Sequence, residues 1–202
     1  MAFIDIIPPD RAEGRLAKLY RRVSGPGGQV DNVLQVHSLR PHSLEGHMGL
    51  YKAVLHHPGN TLPGWYLEAV GVLVSHLNGC DYCFGHHSAG LRRLLDPADG
   101  DFDAWLGAIT AAEPGPPLDA AQCAGLRYAR RLTREPESIT QADIDALRTA
   151  GLEDGQIVEI NQVAAYFAYA NRTVSGLGAS AEGEVLGLSP DAADDPQSWS
   201  HG

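Results

Sequence analysis

Apolar residues along most of this chain recur every three or four positions, the spacing that places side chains on one side of an α-helix. The recurrence predicts helical segments at residues 9–23, 32–36, 41–57, 63–77, 79–95, 119–134, 140–151 and 154–176. No alternating pattern typical of β-strands competes with them. The sequence therefore predicts an all-α fold, a helical bundle in which the two helices at 63–77 and 79–95 form a central hairpin.

Glycine and proline mark the breaks between these helices. Asn78-Gly79 separates the two hairpin helices, and the run EPGPP at 113–117 is the clearest linker in the chain. After residue 95 we expect an irregular stretch that contains Trp105.

The chain divides into a helical domain and a polar end. We interpret residues 1–180 as one all-helical domain, with a short N-terminal part at 1–28 and a core at 29–180. Residues 181–202 contain five acids and neither Lys nor Arg. This composition predicts an acidic C-terminal tail that is extended or partly disordered, unless Trp199 anchors it to a neighbouring surface.

Charge and composition narrow the possible partners. The 202 residues include 25 acidic and 15 basic side chains, a net charge of −10, so no basic stripe favours nucleic acid or an anionic membrane surface. No apolar run approaches the roughly 20 residues of a transmembrane helix, and the start MAFIDIIPPD lacks the pattern of a secretory signal. We therefore expect a cytoplasmic protein that binds neither nucleic acid nor membrane.

Four residues within twenty positions carry the candidate chemistry: Glu68, Cys80, Cys83 and His87. At about 100° per residue, the two cysteines and His87 fall within a wedge of roughly 60° on one helix. Two thiols and an imidazole on one face are suited to redox chemistry or to metal binding. In a reducing compartment, a C-x-x-C motif is catalytic or metal-binding more often than it is a structural disulfide.

The redox interpretation gives each of the four residues a task. Both thiols lie at a helix start, where the unpaired N–H groups favour thiolates and lower their pKa. Oxidation of one thiol gives a sulfenic acid, with which the second thiol can condense. In an antiparallel hairpin Glu68 lies level with His87, which can exchange a proton with Cys83 four residues before it. A carboxylate–imidazole–thiol relay results.

Metal binding is the alternative. Cys80, Cys83 and either His86 or His87 supply three possible zinc ligands, but no second C-x-x-C or H-x-x-x-H completes a closed structural site. We therefore predict no metal and no organic cofactor. His86, about 60° outside the thiol wedge, is interpreted as structural, and Cys123, among alanines and a leucine, as a buried apolar thiol.

The remaining histidines carry less information. His76 faces the predicted turn and is a weak candidate for the site. The others follow no recognisable ligand spacing; they are His37, His42, His47, His56, His57 and His201.

The stretch from Glu68 to His87, ending NGCDYCFGHH, resembles the alkylhydroperoxidase D (AhpD) branch of the carboxymuconolactone decarboxylase-like superfamily, and most closely its peroxidase-related proteins. The shared pattern is a Glu, twelve residues, C-x-x-C and a His four residues after the second Cys. The resemblance extends to His56-Pro58-Leu62, to the segment IVEI at 157–160 and to Asn171-Arg172, and so covers most of residues 30–180.

The resemblance implies an all-helical homo-oligomer, trimeric or hexameric, that reduces hydroperoxides with a cysteine pair. It places the attacking thiolate on Cys83, the resolving thiol on Cys80, and the acid and histidine of the relay on Glu68 and His87. Well-studied members carry a histidine between the cysteines, where this chain has Tyr82. Members without the cysteine pair are muconolactone decarboxylases, an activity that the C-x-x-C motif argues against.

The function predicted from the sequence is a thiol-dependent hydroperoxide reductase with an antioxidant role. Its partners are a small hydroperoxide and a thiol or dithiol reductant that the sequence does not identify. Two alternatives stay open: a disulfide-exchange or redox-sensing protein that uses the same cysteine pair on protein partners, and a metal-binding structural module.

Overall fold

The computed structural model describes residues 2–25, 28–95 and 100–187, and all regular structure within these ranges is helical. The described residues form nine α-helices: α1 Gly14–Val23, α2 Asn32–Gln35, α3 Pro41–Tyr51, α4 Gly64–Leu77, α5 Asp81–Leu94, α6 Phe102–Thr110, α7 Ala120–Arg134, α8 Gln141–Thr149 and α9 Asp154–Leu177. A π-helical turn, Lys52–His56, directly follows α3. The predicted all-α fold is confirmed for these ranges. No helix among them is both long and apolar enough to cross a membrane.

Helix α6 corrects one prediction. The stretch around Trp105 was expected to be irregular, yet Phe102–Thr110 are helical and bury Trp105 and Ile109. The Asp101 side chain caps the helix by accepting a hydrogen bond from the Asp103 N–H at 3.2 Å. A nine-residue helix is marginal alone, and its packing against α4, where Trp105 meets Trp65 edge-on at 5.2 Å between ring centroids, supplies what periodicity did not show.

Helix α4 lies at the centre of the bundle. Its sequence is apolar on every side, which is typical of a helix surrounded by others, and it packs against α5, α6, α7 and α9. At Gly71 it lies so near α9 that an added Cβ atom would overlap the ring of Phe167. Because Gly71 has no side chain, α4 and α9 can pack closely at this position.

Helix α9 also anchors the loop that leads into α4. The Glu159 carboxylate accepts the backbone N–H groups of Thr61 and Leu62 at 2.8 and 2.9 Å. This contact joins two segments, around Leu62 and at 157–160, that also carry the family resemblance. Its role is structural, because it fixes where α4 begins.

The C-terminal strap, residues 180–187, lies across α2 and α5 without forming a helix. Its backbone carbonyls accept hydrogen bonds from side chains on both sides: Asn32 to Ser180 at 2.8 Å, and Arg93 to Leu186 at 3.1 Å. At Gly187 the strap is so close to Ala89 and Gly90 that a Cβ atom would overlap them. The remainder of the predicted acidic tail, residues 188–202 with Trp199, lies outside the described residues.

Candidate active site

The hairpin of α4 and α5 brings the predicted residues together. Its turn passes through Asn78 and Gly79, and Gly79 has a φ of +64°, in the left-handed region that a glycine adopts readily. The Cys80 N–H then donates to the Ser75 carbonyl at 3.0 Å, and Cys80 becomes the N-cap of α5. The first turn of α5 is therefore held against the last turn of α4.

Glu68 and His87 form a buried pair across the hairpin. The Glu68 Oε2 atom lies 2.7 Å from Nδ1 of His87, and the side chains of Glu68 and His87 are 1% and 13% exposed. Because a carboxylate accepts, Nδ1 carries the hydrogen, which leaves Nε2 of a neutral His87 free to take up a proton. The other carboxylate oxygen, Oε1, is buried without a hydrogen-bond partner among the described residues.

The ring of His87 is fixed by packing as well. Phe167 from α9 contacts it edge-on, with 4.5 Å between ring centroids, and Tyr51 lies edge-on at 6.4 Å. An imidazole held by one charged hydrogen bond and two aromatic neighbours has little freedom to rotate. This order is what a proton-transfer group requires.

The two cysteine thiols are both buried and differ in their acidity. A hydrogen bond from the Cys83 side chain is the largest of several contacts that lower the pKa of Cys80 to about 6; the Cys83 N–H, Ser175 and Asn171 also lower it, against the effect of burial. The pKa of Cys83 is raised well above its usual value by the same shared hydrogen bond, by burial and by the charge on Cys80.

This asymmetry corrects the prediction that both thiols are acidified at the helix start. A second thiolate beside the first in a buried site is electrostatically unfavourable. Cys80, at the N-cap, accepts the Cys83 N–H, which favours its charged form, whereas Cys83 is favoured as the thiol that donates to Cys80.

A small cavity opens beside Cys83. It leaves about 70 Å³ for the centres of water-sized groups; since one water needs roughly 10–15 Å³, a small organic molecule fits. Its lining is largely apolar and aromatic, with a few polar groups: Asp31, Val33, Leu34, His47, Met48, Tyr51, Tyr82, Cys83, His86, His87, Tyr166 and Ala170. Cys83 and His87 thus face the cavity, whereas Cys80 and Glu68 lie behind them.

Comparison with solved structures identifies the fold of this chain. An uncharacterized peroxidase-related protein from Silicibacter sp. TM1040 matches with 26% identity and a TM-score of 0.70, over 88% of this chain and 87% of its own. The alkylhydroperoxidase AhpD core of a peroxidase-related protein from Ralstonia eutropha JMP134 matches with 22% identity and a TM-score of 0.75, over 89% and 91%. The chain has the AhpD-like fold.

A third solved structure with this fold is a debrominase. The debrominase Bmp8, as a cysteine-to-alanine variant in complex with 2,3,4-tribromopyrrole, matches with 17% identity and a TM-score of 0.67, over 91% of this chain and 95% of its own. No protein-family model and no curated protein sequence matches this chain. The AhpD-like resemblance seen in the sequence is confirmed by the two peroxidase-related structures.

A second carboxylate–imidazole pair lies next to the first in this AhpD-like chain. Glu184 of the C-terminal strap places Oε2 at 2.9 Å from Nε2 of His86, and it also accepts the backbone N–H of Asn32. His86 stacks on Tyr82 with 4.6 Å between ring centroids. Both rings line the cavity, so His86, interpreted from the sequence as structural, holds the strap and contributes to the cavity wall.

The other cysteine and histidine predictions have mixed outcomes. Cys123 is buried, as expected, with its thiol 3.8 Å from the Leu118 carbonyl. His76 is exposed and contacts Phe84 rather than the cavity. His47, for which no spacing argument existed, lines the cavity; burial lowers its pKa to about 3, helped by the nearby His37, so its ring is neutral there.

The sequence analysis missed residues that distant helices contribute to the surroundings of the cysteines. Asn171 of α9 hydrogen-bonds the side chains of Ser75 and Asn78 and approaches both thiols. The signal was a polar residue within the apolar stripe of α9. A metal site would need several ligands close together. In the described parts of the chain, no three His, Cys, Asp or Glu side chains are grouped as metal ligands.

Proposed function

We propose that this AhpD-like protein reduces organic hydroperoxides with Cys83 and Cys80, while His87 and Glu68 move the proton. One observation carries the proposal: a thiol and a carboxylate-bound imidazole share one wall of a small cavity, with the second thiol hydrogen-bonded behind the first. A substrate in this cavity meets a nucleophile, an acid and a resolving group without any further part.

The reaction begins when Cys83 passes its proton to Cys80, so that the negative charge moves to Cys83. The Cys83 thiolate attacks the terminal peroxide oxygen, the O–O bond breaks, and the alkoxide takes a proton that Nε2 of His87 has received from solvent and leaves as an alcohol. Cys83 is now a sulfenic acid; Cys80 passes its proton to His87, and the S–OH bond of Cys83 breaks when the Cys80 thiolate attacks. Hydroxide takes that proton from His87 and leaves as water, and a Cys80–Cys83 disulfide remains.

The overall balance needs no metal or prosthetic group. One hydroperoxide and two thiols give one alcohol, one water and one disulfide. A thiol or dithiol reductant then returns two electrons and two protons. Because both cysteines are nearly inaccessible, 2% and 4% exposed, a small dithiol entering the cavity fits the site better than the surface of a folded protein partner.

The roles of the two thiols rest on access rather than on acidity. Cys80 is the more acidic, but Cys83 is the thiol that faces the cavity. We expect Cys80→Ser, treated with peroxide, to accumulate a sulfenic acid on Cys83 that a dimedone-type probe traps. We expect Cys83→Ser to react far more slowly. A trapped sulfenate on Cys80 in the Cys83→Ser protein would exchange the roles.

Thiol counting tests the proposed function directly. Reduced protein receives one equivalent of cumene hydroperoxide, and free thiols and bound metal are measured in the same sample. Rapid loss of two thiols with formation of cumyl alcohol supports the peroxidase. Unreactive thiols with stoichiometric zinc would overturn it in favour of the metal-binding module.

Reductive dehalogenation is a second candidate, favoured by the aromatic lining of the cavity and by the fold shared with the debrominase Bmp8. In that reaction an aryl bromide and two thiols give the arene, bromide, a proton and the disulfide. Bromide release from a bromopyrrole, measured beside peroxide reduction, separates the two activities. Turnover of the bromopyrrole alone would replace the peroxidase proposal.

We further propose that the protein is a homo-oligomer, a trimer or a hexamer. Several large apolar side chains are exposed on the single chain, among them Phe3, Val158 and Tyr169, and symmetric association would cover such faces. Multi-angle light scattering should give a multiple of the 21.6 kDa chain mass. A mass of one chain at all dilutions would contradict this.

A further inference from the structure

Asn171 occupies a position in α9 that would ordinarily be apolar. It follows Phe167 by one helical turn and precedes Val174 by three residues, both of them buried, and it is itself only 2% exposed. Burying an amide is unfavourable unless its polar atoms are hydrogen-bonded. The Asn171 amide therefore requires polar partners inside the protein.

Two contacts fix the orientation of this amide. Asn78 Nδ2, from the hairpin turn, donates to Asn171 Oδ1 at 2.9 Å, and Asn171 Nδ2 donates to Ser75 Oγ at 3.1 Å. Ser75 is fully buried, and its carbonyl accepts the N–H of Cys80. The amide nitrogen is thereby directed at the segment that carries the cysteines.

A side-chain amide has two N–H hydrogens, and Ser75 takes one of them. The Asn171 side chain is also among the hydrogen-bonding groups that lower the pKa of both Cys80 and Cys83, so it favours the charged form of each sulfur. Its oxygen is already used by Asn78, so the nitrogen is the atom that faces the thiols. A neutral donor within reach of both sulfurs can serve whichever one is ionised.

We propose that Asn171 is a catalytic residue whose amide N–H holds the negative charge on the cysteine pair as that charge passes from one sulfur to the other. The charge starts on Cys80, moves to Cys83 for attack on the oxidised substrate, and appears on the leaving sulfur when the disulfide is reduced. A donor that stays in place through these transfers avoids reorganisation at each step. An effect of Asn171 on the rate of peroxide reduction rests on the proposed function, whereas its stabilisation of the thiolate does not.

The pH dependence of thiol alkylation tests this role without any peroxide. In Asn171→Leu, reaction with iodoacetamide should require a pH higher by about one to two units, because a hydrogen bond to a charged group is lost. Below the thiol pKa this amounts to a roughly tenfold or greater fall in rate. Thiolate absorbance near 240 nm, followed over the same pH range, gives an independent measure.

Asn161→Leu is the matched control. Asn161 lies on the same helix and also donates a hydrogen bond, to the Tyr128 hydroxyl at 2.8 Å, but it is not among the groups that act on the thiols. The control should leave the alkylation profile unchanged. If Asn171→Leu does not fold, Asn171→Ala, which leaves a cavity instead of a larger side chain, should show the same shift.

The outcomes separate the inference from the proposed function. An Asn171→Leu or Asn171→Ala profile that matches wild type, in a folded protein by circular dichroism, overturns the role of Asn171. A raised profile in a protein whose wild type does not reduce hydroperoxides supports the role of Asn171 and overturns the peroxidase instead.

Discussion

Neighbouring histidines of α5 each bind a buried carboxylate, and the two pairs differ in where the carboxylate originates. Glu68 reaches His87 from α4, nineteen residues earlier, at 2.7 Å. Glu184 reaches His86 from the C-terminal strap, 98 residues later, at 2.9 Å. Both histidine side chains are 13% exposed, so their access to solvent does not distinguish the pairs.

The difference lies in the second oxygen of each carboxylate. Glu184 uses both oxygens, one for His86 and one for the Asn32 N–H, and so joins three separate segments of the chain. Glu68 leaves Oε1 without a partner among the described residues. A fully bonded carboxylate stabilises the fold, whereas one with spare acceptor capacity can respond when His87 gains or loses a proton. The Glu68–His87 pair is thus suited to proton transfer, and the Glu184–His86 pair to holding the C-terminal strap in place.

The largest expected effect is on catalysis, from Glu68→Gln. The amide cannot stabilise a protonated His87, so peroxide reduction should fall by about 10²–10⁴-fold, the usual size of general acid–base assistance. Stopped-flow measurement with freshly reduced protein checks this, with circular dichroism to confirm the fold. The matched change Glu184→Gln should keep the rate within a factor of about ten, below that range. Equal losses in both variants would erase the proposed distinction.

The next effect is on stability, from Glu184→Ala. This change removes both acceptor oxygens and leaves His86 and the Asn32 N–H unpaired, so the free energy of unfolding should fall by about 1–3 kcal/mol. Urea titration measures it. Glu182→Ala, at an exposed position of the same strap, should have little effect. If Glu184→Ala unfolds at the wild-type urea concentration, the strap does not stabilise the fold through this residue.

The smallest effect is expected from Asp31→Asn, beside the second pair. Burial and the negative charge of Glu184 raise the pKa of Asp31 above its ordinary 3.8, although His86 opposes this. Between the ordinary and the raised pKa the folded state binds more protons than the unfolded state, so stability falls as pH rises through that window. Above the raised pKa, the ionised Asp31 carboxylate destabilises the folded state by its full amount.

Asp31→Asn removes that cost and should slightly raise the unfolding midpoint at pH 7. The gain should disappear below about pH 4, where the carboxyl group is protonated in both states. Thermal unfolding of both proteins across this range gives the comparison. A gain that is the same at pH 4 and pH 7 would show that ionisation of Asp31 is not its source.

The sequence was sufficient for contacts between residues close in the chain. Helical periodicity with a turn at Asn78-Gly79 predicted the hairpin, and counting residues along its two arms predicted that Glu68 and His87 would meet. The predicted segments at 119–134 and 140–151 likewise begin at Asp119 and Thr140, the residues that cap α7 and α8 in the structure. These features depend on local geometry, which spacing records directly.

Contacts between distant segments were beyond the same reasoning. Neither Glu184 with His86 nor Asn171 with Ser75 has a spacing that indicates it, because each depends on how whole helices pack. The prediction of thiol acidity was wrong for Cys83 for a related reason: helix position treats each cysteine separately, whereas the hydrogen bond between the two side chains lowers the pKa of Cys80 and raises that of Cys83. Helix α6 was missed because its stability depends on its contact with α4 rather than on its own pattern.

The geometry around His87 also depends on a side chain that is absent. Gly71 lies one turn after Glu68 on α4, and the missing methyl group at this position is the space that the Phe167 ring occupies. That ring in turn lies edge-on against His87. Alanine at position 71 would displace Phe167 and so shift the imidazole without altering any group that ionises. Position 71 therefore influences the geometry around His87 although it carries no reactive group.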